Sequence, residues 1–389
     1  MDPSSVKPEI SITRKGTFRI REGHPWVFRG EIVGTPAAQP GDTVRVLDDT
    51  GRFIGQAHYS SSSLIAMRML SRTGEGIDFA TRIAAAQTLR DLVVSNTDAY
   101  RLVHAEGDFL PGLIIDRYAD CFTVQALDQG MDRALPKITE ALERLYSPRA
   151  IVARNDAFVR TLEQLPRETK MLSGQLDAPV PVQMNGLAME ADLLHGQKTG
   201  VFLDQRENYE AASRYAKGRT LDMFTCTGGF ALHLAKRADT VEAVDSSAPA
   251  LLTARRNAAA NGITNIAFRE ADAFDLLASY VSSRRIFDTV VLDPPAFAKS
   301  RNQIDAAIRA YKEINMRGLR LLGTGGVLVT NSCSHHVDEA TLLGVLADAA
   351  MDAGKTLRIL ERRTQAQDHP ILLSVPETMY LKCVIAQVC

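Results

Sequence analysis

From about residue 191 onward the chain alternates strand-like with helix-like segments, and this alternation limits the fold more than any other feature. TLDMF, TVEAVD, NIAFRE, FDTVVLD and GGVLVTNS are short runs rich in branched or aromatic residues. ALHLAKRA, PALLTARRNAAANG, IRAYKEINMRGLRLL and EATLLGVLADAAMDAG carry helical spacing. Such alternation predicts an α/β domain, a mostly parallel, doubly wound sheet with helices on its faces. Ligands of open α/β sheets bind beyond the carboxyl ends of the strands. Residues at those ends are therefore the ones to inspect.

The 389 residues allow about two or three domains. Residues 1–73 read as a small β-rich module, with ISITRKGTFRI, PGDTVRVLDD, GRFIGQAHYS and SLIAMRML as short runs between turn residues. Residues 74–190 mix helices (FATRIAAAQTLRDLVV and the stretch near Leu135–Tyr146) with strands (LIIDRYADCFTVQAL, AIVARND), a central α+β domain without visible chemistry. Residues 191–389 form the third part. Net charge is −1, so any nucleic-acid contact must come from local patches. Residues 1–72 carry +3, and Arg14, Lys15, Arg19, Arg21 and Arg29 lie near Trp26 and Phe28, a mixture suited to RNA. No window resembles a membrane helix, and MDPSSVKPEI lacks a secretory h-region, so a cytoplasmic protein is expected. Five dispersed cysteines form no CxxC pair, so neither a disulfide framework nor a metal site is expected.

The segment 221–247 runs strand, glycine loop, helix, strand, acidic residue. Gly228 and Gly229 let the backbone approach a ligand before a helix. Asp245 follows Gly228 by 17 residues, near the spacing of a ribose-binding carboxylate. The loop is not GxGxxG, which fits a pyrophosphate poorly and S-adenosyl-L-methionine better. Asp222 could receive the ammonium of that cofactor and Asp272 the adenine amine. Ser246 or Ser247 caps the next helix, with Pro249 in its first turn and Asn261-Gly262 at its end.

FDTVVLDPPAFAKS is a buried strand ending in Asp293-Pro294-Pro295, whose prolines stiffen the exit and aim Asp293 at the site. The following strand delivers Cys333 to the same edge. Cytosine C5 is a poor nucleophile, and a thiolate adding to C6 makes it enamine-like, which is covalent nucleophilic catalysis. Positive charge should lower the Cys333 thiol pKa, with His335, His336 or the sulfonium as sources. Asp293 could contact N3 of the base. Cys226 reads as a packing residue. A guanine or exocyclic-amine RNA methyltransferase on this scaffold would need no thiol. A non-catalytic RNA-binding factor would need no cofactor.

These motifs resemble the 23S rRNA cytosine-5 methyltransferase I family, three-domain class I methyltransferases with an N-terminal PUA module. GHPWVFRGEI and PGDTVRVLDDTGRFIGQAHYS resemble the PUA module, and EGDFLPGLIIDRY the central domain. HGQKTGVFLDQREN (195–208) resembles the family's signature before the first Rossmann-like strand. By that likeness Lys198, Thr199, Gly200, Phe202, Asp204 and Arg206 help build the cofactor pocket. DMFTCTGGF, VDSS, DAF, DPPAF and NSCS match later motifs, and the likeness adds Phe224, Ser246, Ala273, Asp293 and Pro294 to the cofactor-binding set. The resemblance implies methylation of C5 in ribosomal RNA, with Cys333 and Asp293 as catalytic residues. Exposed PUA strands could also support a homodimer. Tyr209 stands where the family usually has Arg, Ala296 where Lys is common, and Ser61-Ser62 replaces an Asn-Pro-type turn.

Overall fold

A computed structural model describes residues 7–298 and 301–389. Residues 1–6, where the leader reading fell in part, and Lys299 and Ser300 of the DPPAFAKS segment lie outside the described residues. Contacts divide the chain into two units. The first holds the described residues up to Val182 with Ala191–Val201 and Gln367–Thr378; the second holds Gln183–Glu190, Phe202–Ala366 and Met379–Cys389. The sequence reading divides the chain into three domains, 1–73, 74–190 and 191–389.

The first unit contains two sheets with separate cores. The N-terminal sheet comprises β1 (Glu9–Ser11), β2 (Trp26–Phe28), β3 (Thr43–Leu47), β4 (Phe53–Tyr59) and β5 (Ile65–Ser71), in the order β1-β3-β4-β5-β2. Ile12, Val27, Val44, Val46 and Met67 fill its core. One expected strand is a helix: Arg14–Arg21 forms α1, capped by Thr13, whose hydroxyl accepts the Gly16 amide. The apolar-polar alternation of ITRKGTFRI mimics a strand, but the Thr cap and the burial of Gly16, Thr17 and Ile20 along one side mark a helix.

The second sheet comprises β6 (Ala99–His104), β7 (Leu113–Tyr118), β8 (Cys121–Ala126), β9 (Ala150–Asn155) and β10 (Glu168–Gly174), ordered β10-β9-β8-β7-β6. Helices α2 (Phe79–Val93) and α3 (Gln129–Tyr146) contribute Ile83, Ala86, Leu135 and Ile138 to its core. Helix α3 starts before the expected Leu135 because Asp128 caps it, accepting the Gly130 and Met131 amides. A short α4 (Val159–Leu162) precedes β10, and β11 (Val180–Met184) pairs with β12 (Leu187–Ala191) where the chain passes between units.

The second unit is the expected doubly wound sheet. Its strands are β13 (Arg219–Met223), β14 (Thr240–Asp245), β15 (Ile266–Glu270), β16 (Phe287–Leu292), β17 (Leu322–Ser332), β18 (Leu357–Arg363) and β19 (Lys382–Val388). The order is β15-β14-β13-β16-β17-β19-β18. The first five are parallel, while β19 runs antiparallel to both β17 and β18. Helices α5 (Arg206–Ser213), α6 (Gly229–Leu234), α7 (Ala248–Ala260), α8 (Ala273–Ser282), α9 (Ile304–Arg320) and α10 (Glu339–Asp352) connect the strands. Leu221, Val290, Leu292, Leu328, Tyr311 and Leu346 join strands to helices in one core. Strand order reverses between β13 and β16, so the crevice lies at their carboxyl ends. Among the described residues no helix is long and apolar enough to cross a membrane.

Candidate active site

Four acidic residues and one thiol reach the carboxyl edge of this sheet. Asp222 lies in β13, Asp245 ends β14, Asp272 caps α8 after β15, Asp293 follows β16, and Cys333 follows β17. The loop after β13 bends sharply: Phe224 and Cys226 have φ of 66° and 49°, and Gly228 has 91°. Non-glycine residues enter that region at a cost. The Cys226 amide donates to Asp245 Oδ2 at 2.8 Å, and the Ser247 amide donates to Oδ1 at 2.9 Å. The bend and the acidic strand end therefore hold each other.

Asp222 is fully buried. The Thr225 hydroxyl donates to its Oδ2 at 2.6 Å, while Oδ1 has no hydrogen-bond partner among the described residues. Burial raises its pKa to about 8, and Asp293 and Asp245 push in the same direction. A buried carboxylate oxygen without a donor is costly, and a cationic ligand would relieve that cost. Asp272 spends Oδ1 on the Phe274 and Asp275 amides, at 2.8 and 3.0 Å. Ser247, rather than Ser246, caps α7: its hydroxyl accepts the Ala250 amide, and Ser246 is exposed. Ala273 is the first residue of α8 and is buried, and Pro294 is buried behind Asp293.

Gly228 precedes α6, and a Cβ on Gly229 would lie 2.4 Å from the Tyr209 ring. Tyr209, one of the departures from the family pattern, packs edge-on against Phe230 with centroids 4.7 Å apart. Burial, with the carboxylates of Asp293 and Asp204, holds its hydroxyl pKa well above the usual value. A neutral phenol thus stands among these carboxylates.

The signature residues divide between the units. Lys198, Thr199 and Gly200 belong to the first. Lys198 is exposed with φ 50°, and Thr199 is buried, donating to Asp116 Oδ2 at 2.6 Å and meeting the Tyr118 hydroxyl at 2.8 Å. A Cβ on Gly200 would come within 2.9 Å of Leu193 and 3.1 Å of Tyr118. Phe202, Asp204 and Arg206 belong to the second unit. Tyr380 donates its hydroxyl to Asp204 at 2.8 Å, and the Arg206 carbonyl accepts the Asn185 amide at 2.7 Å.

Sequence reasoning missed Gln205, which donates to Asp293 Oδ1 at 2.8 Å. It lies inside the signature, so its position carried the signal although its role did not. It also missed Lys382. Burial lowers this lysine's pKa to about 8, while Cys333 and Asp338 oppose the shift. His335 and His336, the expected local charges, are exposed, and His335 stacks on Tyr380. Burial raises the thiols of Cys121 and Cys226 to about 12 and that of Cys383 higher still, so none of these three is a ready nucleophile.

The RNA-facing cluster read from the N-terminal module is partly internal. Arg19 pairs with Glu31 and lies over the Phe28 ring, and Arg29 donates to the Ser60 and Ser63 carbonyls. Trp26 donates its indole N–H to Glu106 at 2.8 Å. Arg14 and Lys15 stay exposed on α1 beside Phe18, which is 63% exposed.

Comparison with known proteins accounts for both units. Residues 10–72 match the PUA-like domain family, and residues 216–371 match a methyltransferase domain family. Two solved structures share the fold at a TM-score of 0.83 and cover 98% of this chain and all of theirs. One is SMU.776, described as a methyltransferase complexed with SAH, at 18% identity; the other is a SAM-dependent methyltransferase from Streptococcus mutans, at 19%. The ribosomal RNA large subunit methyltransferase I of Shewanella denitrificans is 41% identical over 95% of this chain and 96% of its own. That of Photobacterium profundum is 40% identical over 93% and 95%. This chain therefore belongs to the ribosomal RNA large subunit methyltransferase I family.

Proposed function

We propose that this protein methylates C5 of a cytosine in the 23S RNA of the large ribosomal subunit, using S-adenosyl-L-methionine and a covalent bond from Cys333 to C6. The observation that carries the reading is the thiol at the end of β17, one strand from Asp293 and beside a buried lysine.

The residues at the sheet edge suit that cofactor. Asp222 offers an unpartnered buried oxygen to a cation, Asp245 a carboxylate at the ribose position, and Asp272 Oδ2 an acceptor for the adenine amine. When bound, S-adenosyl-L-methionine supplies an electrophilic methyl group on a sulfonium. Cys333, as thiolate, adds to C6, and the electron pair of the C5–C6 bond becomes available at C5. Asp293, held by Gln205, faces the base as a hydrogen-bonding partner for N3, with one proton shared between them. After C5 has gained its methyl, a base removes the C5 proton, the S–C6 bond breaks and the aromatic ring returns.

The test is nucleoside mass spectrometry of large-subunit RNA incubated with protein and cofactor. The wild type should yield 5-methylcytidine and Cys333→Ala none. A methylated guanine or exocyclic amine, formed equally by Cys333→Ala, would favour chemistry without a thiol.

A further inference from the structure

Cys333 leaves β17 between two serines tied to one phenol. The Ser332 hydroxyl donates to the Tyr311 hydroxyl at 3.0 Å, and the Ser334 and Tyr311 hydroxyls lie 3.0 Å apart. Helix α9 thereby fixes the backbone on both sides of the thiol. The partner strand β19 begins with Lys382 directly opposite Ser332. This lysine is 4% exposed. Its Nζ donates to the Ser334 carbonyl at 2.7 Å and to the Tyr380 carbonyl at 2.9 Å. The side chain therefore crosses from β19 to the residue that follows Cys333.

Two carbonyls satisfy two of the three ammonium N–H groups but do not neutralise the charge. Among the described residues no carboxylate makes a salt bridge with Lys382. Asp338 acts on the ammonium only through its charge, and burying an ammonium without a directly paired carboxylate is costly. A site that holds such a charge next to a thiol is suited to a thiolate.

We infer that Lys382 is a positioning residue for the reaction, an ammonium fixed beside Cys333 that keeps its sulfur ionised for attack on C6 and accepts it back as a thiolate when the adduct breaks. The inference rests on the reading of Cys333 as nucleophile. No proton passes through Lys382: the thiol loses its proton to solvent before attack, the S–C6 bond forms and later breaks, and the ammonium stays charged throughout. Burial moves the lysine's pKa to about 8, and Cys333 and Asp338 act against that shift. The other titratable groups around the pair are Tyr311 on α9, whose hydroxyl pKa is raised by burial, Asp338 at the head of α10, and Tyr380 with His335 stacked on it. Of these, Asp338 has its carboxyl pKa lowered by the Thr341 hydroxyl and amide and serves the α10 cap.

The experiment is peptide-resolved alkylation of the full chain by iodoacetamide from pH 5 to 10, for wild type, Lys382→Gln and Lys382→Arg. Wild-type Cys333 should alkylate with a midpoint below about 8.5, the ordinary thiol value. Lys382→Gln should raise that midpoint and slow alkylation at pH 7 about tenfold, while Lys382→Arg should keep it low. Exposed Cys389 serves as a reference that no variant should alter, and buried Cys383 reports unfolding if it becomes reactive. If Lys382→Gln unfolds, Lys382→Arg decides: a midpoint at the ordinary thiol value despite the retained cation overturns the inference. An unchanged midpoint in folded Lys382→Gln overturns it too. The underlying reading fails separately, if wild-type Cys333 forms no adduct with 5-fluorocytosine RNA although its midpoint still depends on Lys382.

Discussion

Gln205 donates its side-chain amide to Asp293 Oδ1 at 2.8 Å, linking the segment before the first strand of the methyltransferase sheet to the carboxylate of Asp-Pro-Pro. Asn208 donates to Gln205 Oε1 at 2.7 Å, and Arg363 donates to Asn208 Oδ1 at 3.0 Å. The Asp293 carboxylate is thus oriented through a relay of amides ending on a strand at the sheet edge.

Gln205→Ala should leave Asp293 in place but unoriented. We expect kcat to fall roughly tenfold, the cost of about one hydrogen bond to a charged group, with cofactor affinity changing less. Steady-state methylation with varied cofactor checks this. An unchanged kcat would remove Gln205 from the site.

Asp222 should make cofactor binding depend on pH. Its folded pKa is about 8, above the unfolded value, so the folded state binds the proton more tightly. The unliganded fold then loses stability as pH rises from about 4 towards 8. A cationic ligand needs the ionised form, so binding should strengthen as pH rises through that window and release protons near pH 7. Titration calorimetry in buffers of different ionisation enthalpy measures the release. Asp222→Asn should stabilise the unliganded protein at pH 8 by up to about 5 kcal/mol and abolish the proton release.

Gly229 should tolerate no side chain while Tyr209 keeps its place. The Cβ of Gly229→Ala would meet the ring at 2.4 Å, an overlap expected to cost about 1–3 kcal/mol. Tyr209→Ala should remove most of that cost, giving a coupled double-mutant cycle in thermal unfolding. Additive losses would mean that the two residues do not compete for the space.

In the N-terminal module the cations should separate by role. Lys15→Ala should weaken RNA binding and reduce the salt slope by about 1 with stability unchanged. Arg29→Ala, which strips two carbonyls of their donor, should lower the melting temperature instead. Filter binding at several salt concentrations, with thermal unfolding, distinguishes the two.

Much of this was legible in the sequence because the relevant signals are local. The β13 loop, Asp245 at the end of its strand and Asp-Pro-Pro each lie within one turn or strand, so periodicity and punctuation reveal them. Helix α1 reads as a strand because Ile12, Phe18 and Ile20 stand among polar residues at spacings that fit either element, and only the Thr13 cap and the burial of Gly16, Thr17 and Ile20 decide. Lys382 was invisible for another reason. It reaches Ser334 through antiparallel pairing of β19 with β17, a contact across 48 residues that no local pattern encodes. Likewise, Thr199 sits in a readable signature, but its partner Asp116 lies 83 residues upstream.

The most direct measurement is mass spectrometry of the peptide cross-linked to RNA carrying 5-fluorocytosine at the target position, in the presence of S-adenosyl-L-methionine. Fluorine at C5 cannot leave as a proton does, so a C6 adduct should persist. The RNA-linked methylated nucleotide should be found on Cys333 alone, and Cys333→Ser should give none. A stable adduct on Cys226 or another residue, or turnover of ordinary RNA at the wild-type rate by Cys333→Ser, would contradict the covalent route.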